Sequence, residues 1–289
     1  MTPPEASPSA LTVLRAVARG AGSLAPVHAA LGTALDTIEP GLAVARVPRL
    51  PPHRLRGPGV VPVLGDLVLS AAITSSLAAG LRISTLTLHT AMLGPLPPPG
   101  AALVARAELV GPAGAVAGGT ADASADAVAG ATAVSRAEVY AADGRPVAQV
   151  GARCAVLPST GGGELFHDPV DPDPFAALGP ELRAAATLAN SAGGVQGGVL
   201  AAVVGHRIAE AIGAPDAAAC DYDVTFVRGV AADGAGMAVD VEVRHGGRRL
   251  VAADARLRDS RGRVAVIASA ACWLPPPSPH IPDGESRNP

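Results

Sequence analysis

Two long apolar stretches organise the chain. VVPVLGDLVLSAAITSSLAAGL at 60–81 and GGVLAAVVGHRIAEAI at 197–212 carry apolar residues on nearly every face. Such a pattern predicts helices buried in a core, over about 60–79 and 197–212. Each is followed by an alternating run, RISTLTLHTAML at 82–93 and CDYDVTFVRG at 220–229, which reads as strand.

Two further segments resemble one another. GRPVAQVGARC at 144–154 and GRVAVIASAAC at 262–272 both start at a turn glycine and run through apolar positions to a cysteine. SRAEVYAAD and VAADARLRDS precede them, so each copy closes as a β-hairpin around a D-G or R-G turn. A further strand is expected before each helix, in DTIEPGLAVARVP at 36–48 and PELRAAATLAN at 180–190. The order strand, helix, four antiparallel strands therefore occurs twice. The expected class is α+β, with each half a long central helix wrapped by a curved antiparallel sheet.

Gly, Pro and Asp crowd into PSTGGGELFHDPVDPDP, which marks a linker. The expected division is an N-terminal domain over 1–157, a linker over 158–174, a C-terminal domain over 175–274 and a disordered tail over 275–289. The small residues at 111–130 read as a long loop inside the first domain, and the first residues as a flexible start.

Composition removes several function classes. The formal net charge is −3, every basic residue is arginine and aromatics make up 2%, a poor footprint for nucleic acid. Asp66 interrupts the 60–81 stretch near its middle, which argues against stable membrane insertion. No basic, then apolar, leader opens the chain, so a cytoplasmic protein is expected. The three cysteines, Cys154, Cys220 and Cys272, show no C-x-x-C spacing and an odd count. Neither a zinc site nor a disulfide framework is expected from them. His206 and Glu210 lie four apart on a helix without further ligands nearby, which favours a helix-face pair over a metal site. Arg244, Arg248 and Arg249 surround a hairpin turn and read as solvated.

The head of the second helix carries the chemistry. In LANSAGGVQGGVL at 188–200, Asn190, Gly193, Gln196, Gly197 and Gly198 resemble the signature of hotdog-fold thioesterases of the phenylacetyl-CoA (PaaI-like) type. That resemblance implies an acid nine positions after the His/Gln, acting as base or nucleophile, and a Ser or Thr some eighteen residues further on. Nine positions after Gln196 stands Gly205. At the head of the first helix, Gly57 occupies the His/Gln position and Pro51 the Asn position, yet nine after Gly57 stands Asp66 and eighteen later Ser84. The two halves lack complementary parts.

The resemblance therefore implies a tandem double hotdog paired as a pseudo-dimer, with one composite site. Asp66, Ser84, Asn190, Gln196 and Gly197 are its expected catalytic residues, and Gly193 and Gly198 line the substrate. The reciprocal site, with Pro51, Gly57 and Gly205, is expected to be inactive. A helix N-terminus offers unpaired N–H groups to a developing oxyanion, which suits Gly197 to a thioester carbonyl. Asp66 suits the base or nucleophile. The expected substrate is an acyl-CoA or acyl-carrier thioester, with no metal and no cofactor beyond coenzyme A within the substrate. A non-catalytic acyl-CoA or lipid-binding protein is the alternative reading, and a hotdog hydratase or dehydratase a lesser one. Assembly of two chains as a homodimer is compatible with the resemblance.

Overall fold

The structure is a computed structural model and describes residues 9–22, 24–51, 55, 57–112, 130–159, 181–213 and 219–274. The expected linker at 158–174, the loop at 111–130 and the tail at 275–289 lie almost wholly outside these residues.

The two apolar stretches are helices: α3 spans Val61–Thr74 and α4 spans Gly197–Ala211. Both are buried along most of their length, as all-round hydrophobicity requires. Ahead of them, α1 (Ala10–Ala18) is capped by the Ser9 hydroxyl, which accepts from the Thr12 N–H, and a short α2 spans Pro26–Ala30.

Ten strands form a single antiparallel sheet. They are β1 (Ala34–Glu39), β2 (Leu42–Val47), β3 (Leu81–Met92), β4 (Leu103–Pro112), β5 (Thr132–Ala141), β6 (Pro146–Pro158), β7 (Cys220–Phe226), β8 (Ala238–Gly246), β9 (Leu250–Arg258) and β10 (Val264–Trp273). Their order is β1-β2-β4-β5-β6-β3-β7-β10-β9-β8. Strands up to residue 158 thus occupy one side of the sheet and those from 220 onwards the other. The two sides meet where β3 pairs with β7, from Thr87 opposite Thr225 to Ala91 opposite Asp221. On the exposed face of this seam, His89 Nδ1 and Asp223 Oδ1 lie 2.8 Å apart.

The sheet wraps both helices. α3 lies against β2 to β6, α4 against β7 to β10 and β3, and the helices pack on each other. Their contact is set by small residues. A Cβ on Gly198 would stand 2.3 Å from the Pro62 carbonyl oxygen, and one on Gly205 would stand 2.6 Å from Pro58 Cγ. Moving forward along α4, the contacts move backward towards the start of α3, so the helices cross antiparallel with backbones almost touching.

Two expectations are corrected. PELRAAATLAN forms no strand: it makes single bridges at Arg183 and Ala189 and a 3-10 turn at Ala186–Leu188. Its backbone pairs briefly with residues 234–237, through Ala184 N–H to Ala235 O and Met237 N–H to Leu182 O, before the turn diverts it. In the first half the corresponding chain makes two strands, β1 and β2, instead of the one expected. The second correction concerns sulfur. Cys220 and Cys272 form a disulfide, because β7 and β10 are neighbours and their register sets these residues opposite each other. A spacing of 52 residues conceals that pairing in one dimension. Cys154 is free and buried.

No helix among the described residues is long and apolar enough to cross a membrane.

Candidate active site

Asp66 sits in the second turn of α3, 5% exposed, in a helix whose neighbours are apolar. An unpartnered carboxylate there would be costly to bury. Three donors from two distant parts of the chain meet it instead. Gln196 Nε2 donates to Asp66 Oδ2 at 2.6 Å and the Gly198 N–H donates to the same oxygen at 3.1 Å. The Thr85 hydroxyl donates to Oδ1 at 3.1 Å. Gln196 lies 130 residues from Asp66 in sequence.

The orientation of Gln196 follows from its place at the head of α4. As the N-cap it accepts the Val199 N–H through Oε1 at 2.9 Å, so only Nε2 can face the carboxylate. Helix cap and carboxylate contact are thus made by one side chain. Gly197, the first residue of α4, keeps an N–H with no intrahelical acceptor, as at every helix start. A Cβ there would come within 3.1 Å of Asp66 Oδ2 and 3.5 Å of Phe226 Cζ, so the side-chain direction of Gly197 opens between the carboxylate and an aromatic ring.

Asn190 shapes the loop leading to this helix. Its Oδ1 accepts the N–H groups of Ala192 at 2.9 Å and Gly194 at 3.1 Å, which leaves Nδ2 as a donor outside both bonds. Gly193 sits in the same turn at φ +77°, where its freedom is conformational and nothing would meet a Cβ. Gly198 is the opposite case, held against α3 with its N–H on Asp66.

Ser84 is not among the groups on Asp66. It is exposed on the outer face of β3, and Thr85 takes the contact. The alternation that opens β3 decides this, with Leu81, Ile83 and Thr85 turned inward and Arg82 and Ser84 exposed. A β-bulge follows: Thr85 opposes Cys154 while Thr87 opposes Arg153, so Leu86 is an extra residue in β3. The alternation of faces reverses across it, and Thr85 is turned towards the helices while Thr87 faces out. Counting eighteen positions from the acid lands one residue short, on the outward-facing position of this alternation. Thr85 and its neighbour Cys154 were accordingly missed, and so were Phe226 and Tyr222, which lie on the far side of the seam.

Burial raises the Asp66 carboxyl above the ordinary aspartate range, and the bonds from Gly198, Thr85 and Gln196 oppose this by stabilising the ionised form. Burial, helped by the charge of Asp66, pushes the Cys154 thiol up to about 12.

The counterpart positions pack differently. Gly205, nine after Gln196, lies against the Pro58 ring, and Gly57 at φ +65° has no room for a Cβ between the Gly205 carbonyl and the Tyr222 hydroxyl. That hydroxyl is buried with no hydrogen-bond partner among the described residues, and burial raises its pKa. Pro51 is half-buried ahead of this corner, and His53 lies outside the described residues. Among the described residues no group of His, Cys, Asp and Glu is arranged to hold a metal ion. His206 Nε2 stands 3.6 Å from Glu210 Oε1, and Arg207 pairs with the same carboxylate. Arg244 pairs with Asp254 and Glu242.

Among solved structures, a tesB protein of Mycobacterium avium subspecies paratuberculosis matches 88% of this chain over 100% of its own, at 14% identity and a TM-score of 0.52. The chain has the hotdog fold. A protein of Novosphingobium aromaticivorans described as a thioesterase matches 83% of the chain over 98% of its own, at 14% identity and a TM-score of 0.50. A MaoC-like dehydratase also matches, at 13% identity, over 67% of this chain and 76% of its own, with a TM-score of 0.46. No family model matches the chain, and no curated protein matches it.

Proposed function

We propose that the chain hydrolyses acyl thioesters, carried on coenzyme A or an acyl-carrier protein, at one composite site between two tandem hotdog halves. The observation that carries this reading is the 2.6 Å bond from Gln196 Nε2 to Asp66 Oδ2. It joins an acid on α3 to the glycine-rich start of α4. The halves are residues 1–157 and 175–274, paired as a pseudo-dimer through β3 and β7. In support, each side of the sheet holds one buried helix, and the helices cross antiparallel at their N-terminal ends. The hotdog thioesterases that the chain resembles in fold favour the same chemistry.

In the proposed reaction the thioester carbonyl oxygen accepts the free Gly197 N–H at the positive end of α4. Asn190 Nδ2 orients the acyl group from the loop, and the Gly193 turn gives it room. A water beside Thr85 loses a proton to Asp66 while its oxygen adds to the carbonyl carbon. The resulting oxyanion rests on Gly197 N–H. Collapse breaks the carbon–sulfur bond, and the leaving thiolate takes the proton back from Asp66. A carboxylic acid and a free thiol result. The raised carboxyl pKa suits this role, since a stronger base takes the proton of water more readily. Gln196 and Gly198 hold the carboxylate in place. The counterpart around Gly205 lacks an acid and is blocked by Pro58, so one site per chain is proposed.

The test is thiol release from a panel of short, long and aromatic acyl-CoAs, comparing wild type with Asp66→Ala and Asn190→Ala. Loss of the base is expected to lower the rate by about 10² to 10⁴. Hydrolysis that survives Asp66→Ala undiminished would overturn the composite site. Saturable binding without any turnover would favour an acyl-CoA-binding protein.

A further inference from the structure

Cys154 is a buried nucleophile that the proposed reaction does not use. It stands directly opposite Thr85 in the β6–β3 register, at the last pair before the Leu86 bulge. Its Sγ lies 3.9 Å from Thr85 Oγ1, and Thr85 in turn donates to Asp66 Oδ1. The three groups form a line from the sheet to the carboxylate. The thiol is fully buried and stays protonated, so it has an S–H to offer Thr85 as a weak donor.

We infer that Cys154 is a positioning residue: its S–H points at Thr85 Oγ1 and fixes the Thr85 proton on Asp66. A threonine hydroxyl has one proton and two acceptor sites, and free rotation would let that proton turn away from the carboxylate. A donor behind the oxygen removes the alternative. The same pair pins the bulge, because Thr85 must face inward for the contact to form. Cys154 therefore acts through Thr85, without touching Asp66 or substrate. The kinetic part of the test rests on the proposed hydrolysis; the titration part does not.

The experiment is a double-mutant cycle, since coupling between two residues is read as non-additivity. Cys154→Ala, Cys154→Ser and Cys154→Val are each made in the wild type and in Thr85→Val. Removing the donor, by Cys154→Ala or Cys154→Val, is expected to lower kcat about threefold to tenfold with KM unchanged, in line with a weak hydrogen bond. Cys154→Ser, which restores a donor, is expected to remain near wild type. In the Thr85→Val background none of the three is expected to change kcat further.

In parallel, the Asp66 carboxyl is titrated by NMR. Cys154→Ala should move its midpoint upward relative to Cys154→Ser, and only where Thr85 is present. Rescue by Cys154→Val in place of Cys154→Ser would assign the effect to packing and overturn the inference. Equal effects with and without Thr85 would also overturn it. If no thioester is hydrolysed, the functional reading falls and the titration alone decides the role of Cys154.

Discussion

Gln196 caps α4 with one end of its amide and holds Asp66 with the other, at 2.9 and 2.6 Å. A single carboxamide thereby ties the helix start to the acid of the other helix. Replacement by alanine removes both bonds: the Val199 N–H keeps only its 3.0 Å bond to the backbone carbonyl of residue 196, and an Asp66 oxygen loses a donor in a buried site. Gln196→Ala is expected to cost about 2 to 4 kcal/mol, the sum of a lost cap and a lost bond to a charged group, and urea unfolding would measure it. A loss below about 0.5 kcal/mol would show that the contact contributes little.

Ser84 and Thr85 are adjacent and face opposite sides of the sheet, so their substitutions should separate cleanly. Thr85→Val keeps the shape and removes the bond to Asp66. A decrease of about 10- to 100-fold in kcat/KM is expected, corresponding to a hydrogen bond to a charged group. Ser84→Ala should stay within about twofold, as for a surface position. Steady-state kinetics on one thioester would check both.

Gly197 and Gly198 are neighbours with different constraints. Alanine at Gly198 would place its Cβ 2.3 Å from the Pro62 carbonyl oxygen, forcing the helices apart, and a loss of about 2 to 3 kcal/mol or more is expected. Alanine at Gly197 meets only side chains, at 3.1 and 3.5 Å, so a smaller loss is expected, of about 1 kcal/mol, as the hydrogen-bonded Asp66 carboxylate shifts by a few tenths of an ångström. It narrows the approach to the amide, however, and roughly 10²-fold lower kcat/KM is expected. Thiol release should fall in both variants, since Gly198 also donates to Asp66, while thermal unfolding should single out Gly198→Ala.

Two buried groups give the stability opposite pH slopes. His28 is 3% exposed, its Nδ1 has no hydrogen-bond partner among the described residues, and burial lowers its pKa from 6.5 to about 4. Its folded pKa is depressed, so the unfolded chain binds the proton first, and stability present above pH 6.5 is lost as pH falls towards 4. About 3 kcal/mol is at stake over that window. His28→Leu should flatten it. Asp66 has a raised folded pKa, so its contribution is fully present below the ordinary aspartate value of 3.8 and declines as pH rises through the folded pKa. Asp66→Asn should therefore gain stability relative to wild type as pH rises above about 4. Urea titrations from pH 3.5 to 8 would reveal both slopes.

The disulfide predicts a thiol count. Denatured without reductant, the chain should show one free thiol, Cys154, and three after reduction. Cys272→Ala is expected to lower stability by about 2 to 4 kcal/mol.

Much of this was legible in one dimension because it depends on local pattern. All-round apolar character located α3 and α4 to within a few residues, and alternation located β3 and β7. The odd acid at Asp66 stood out because burial makes a carboxylate conspicuous. What escaped depends on pairing between strands. The Cys220–Cys272 bond requires knowing that β7 and β10 are neighbours, and Thr85 requires knowing which face of β3 turns towards the helices. The 180–190 segment contains β-compatible spacing but no partner long enough to hold it, and only the sheet edge reveals that. Tyr222 and Phe226 gave no signal, since nothing local distinguishes them from ordinary strand residues.

The seam between β3 and β7 has a consequence for how the protein would lose activity. Asp66 and Thr85 hang on one side of it, and Gln196 and Gly198 on the other, joined by the ladder from Thr87–Thr225 to Ala91–Asp221 and by the helix contact. Any opening of that ladder separates acid from cap while both sides keep their own hydrogen-bonded strands. On heating, activity is therefore expected to disappear before the secondary structure does, making turnover an early reporter of the sheet coming apart at its middle.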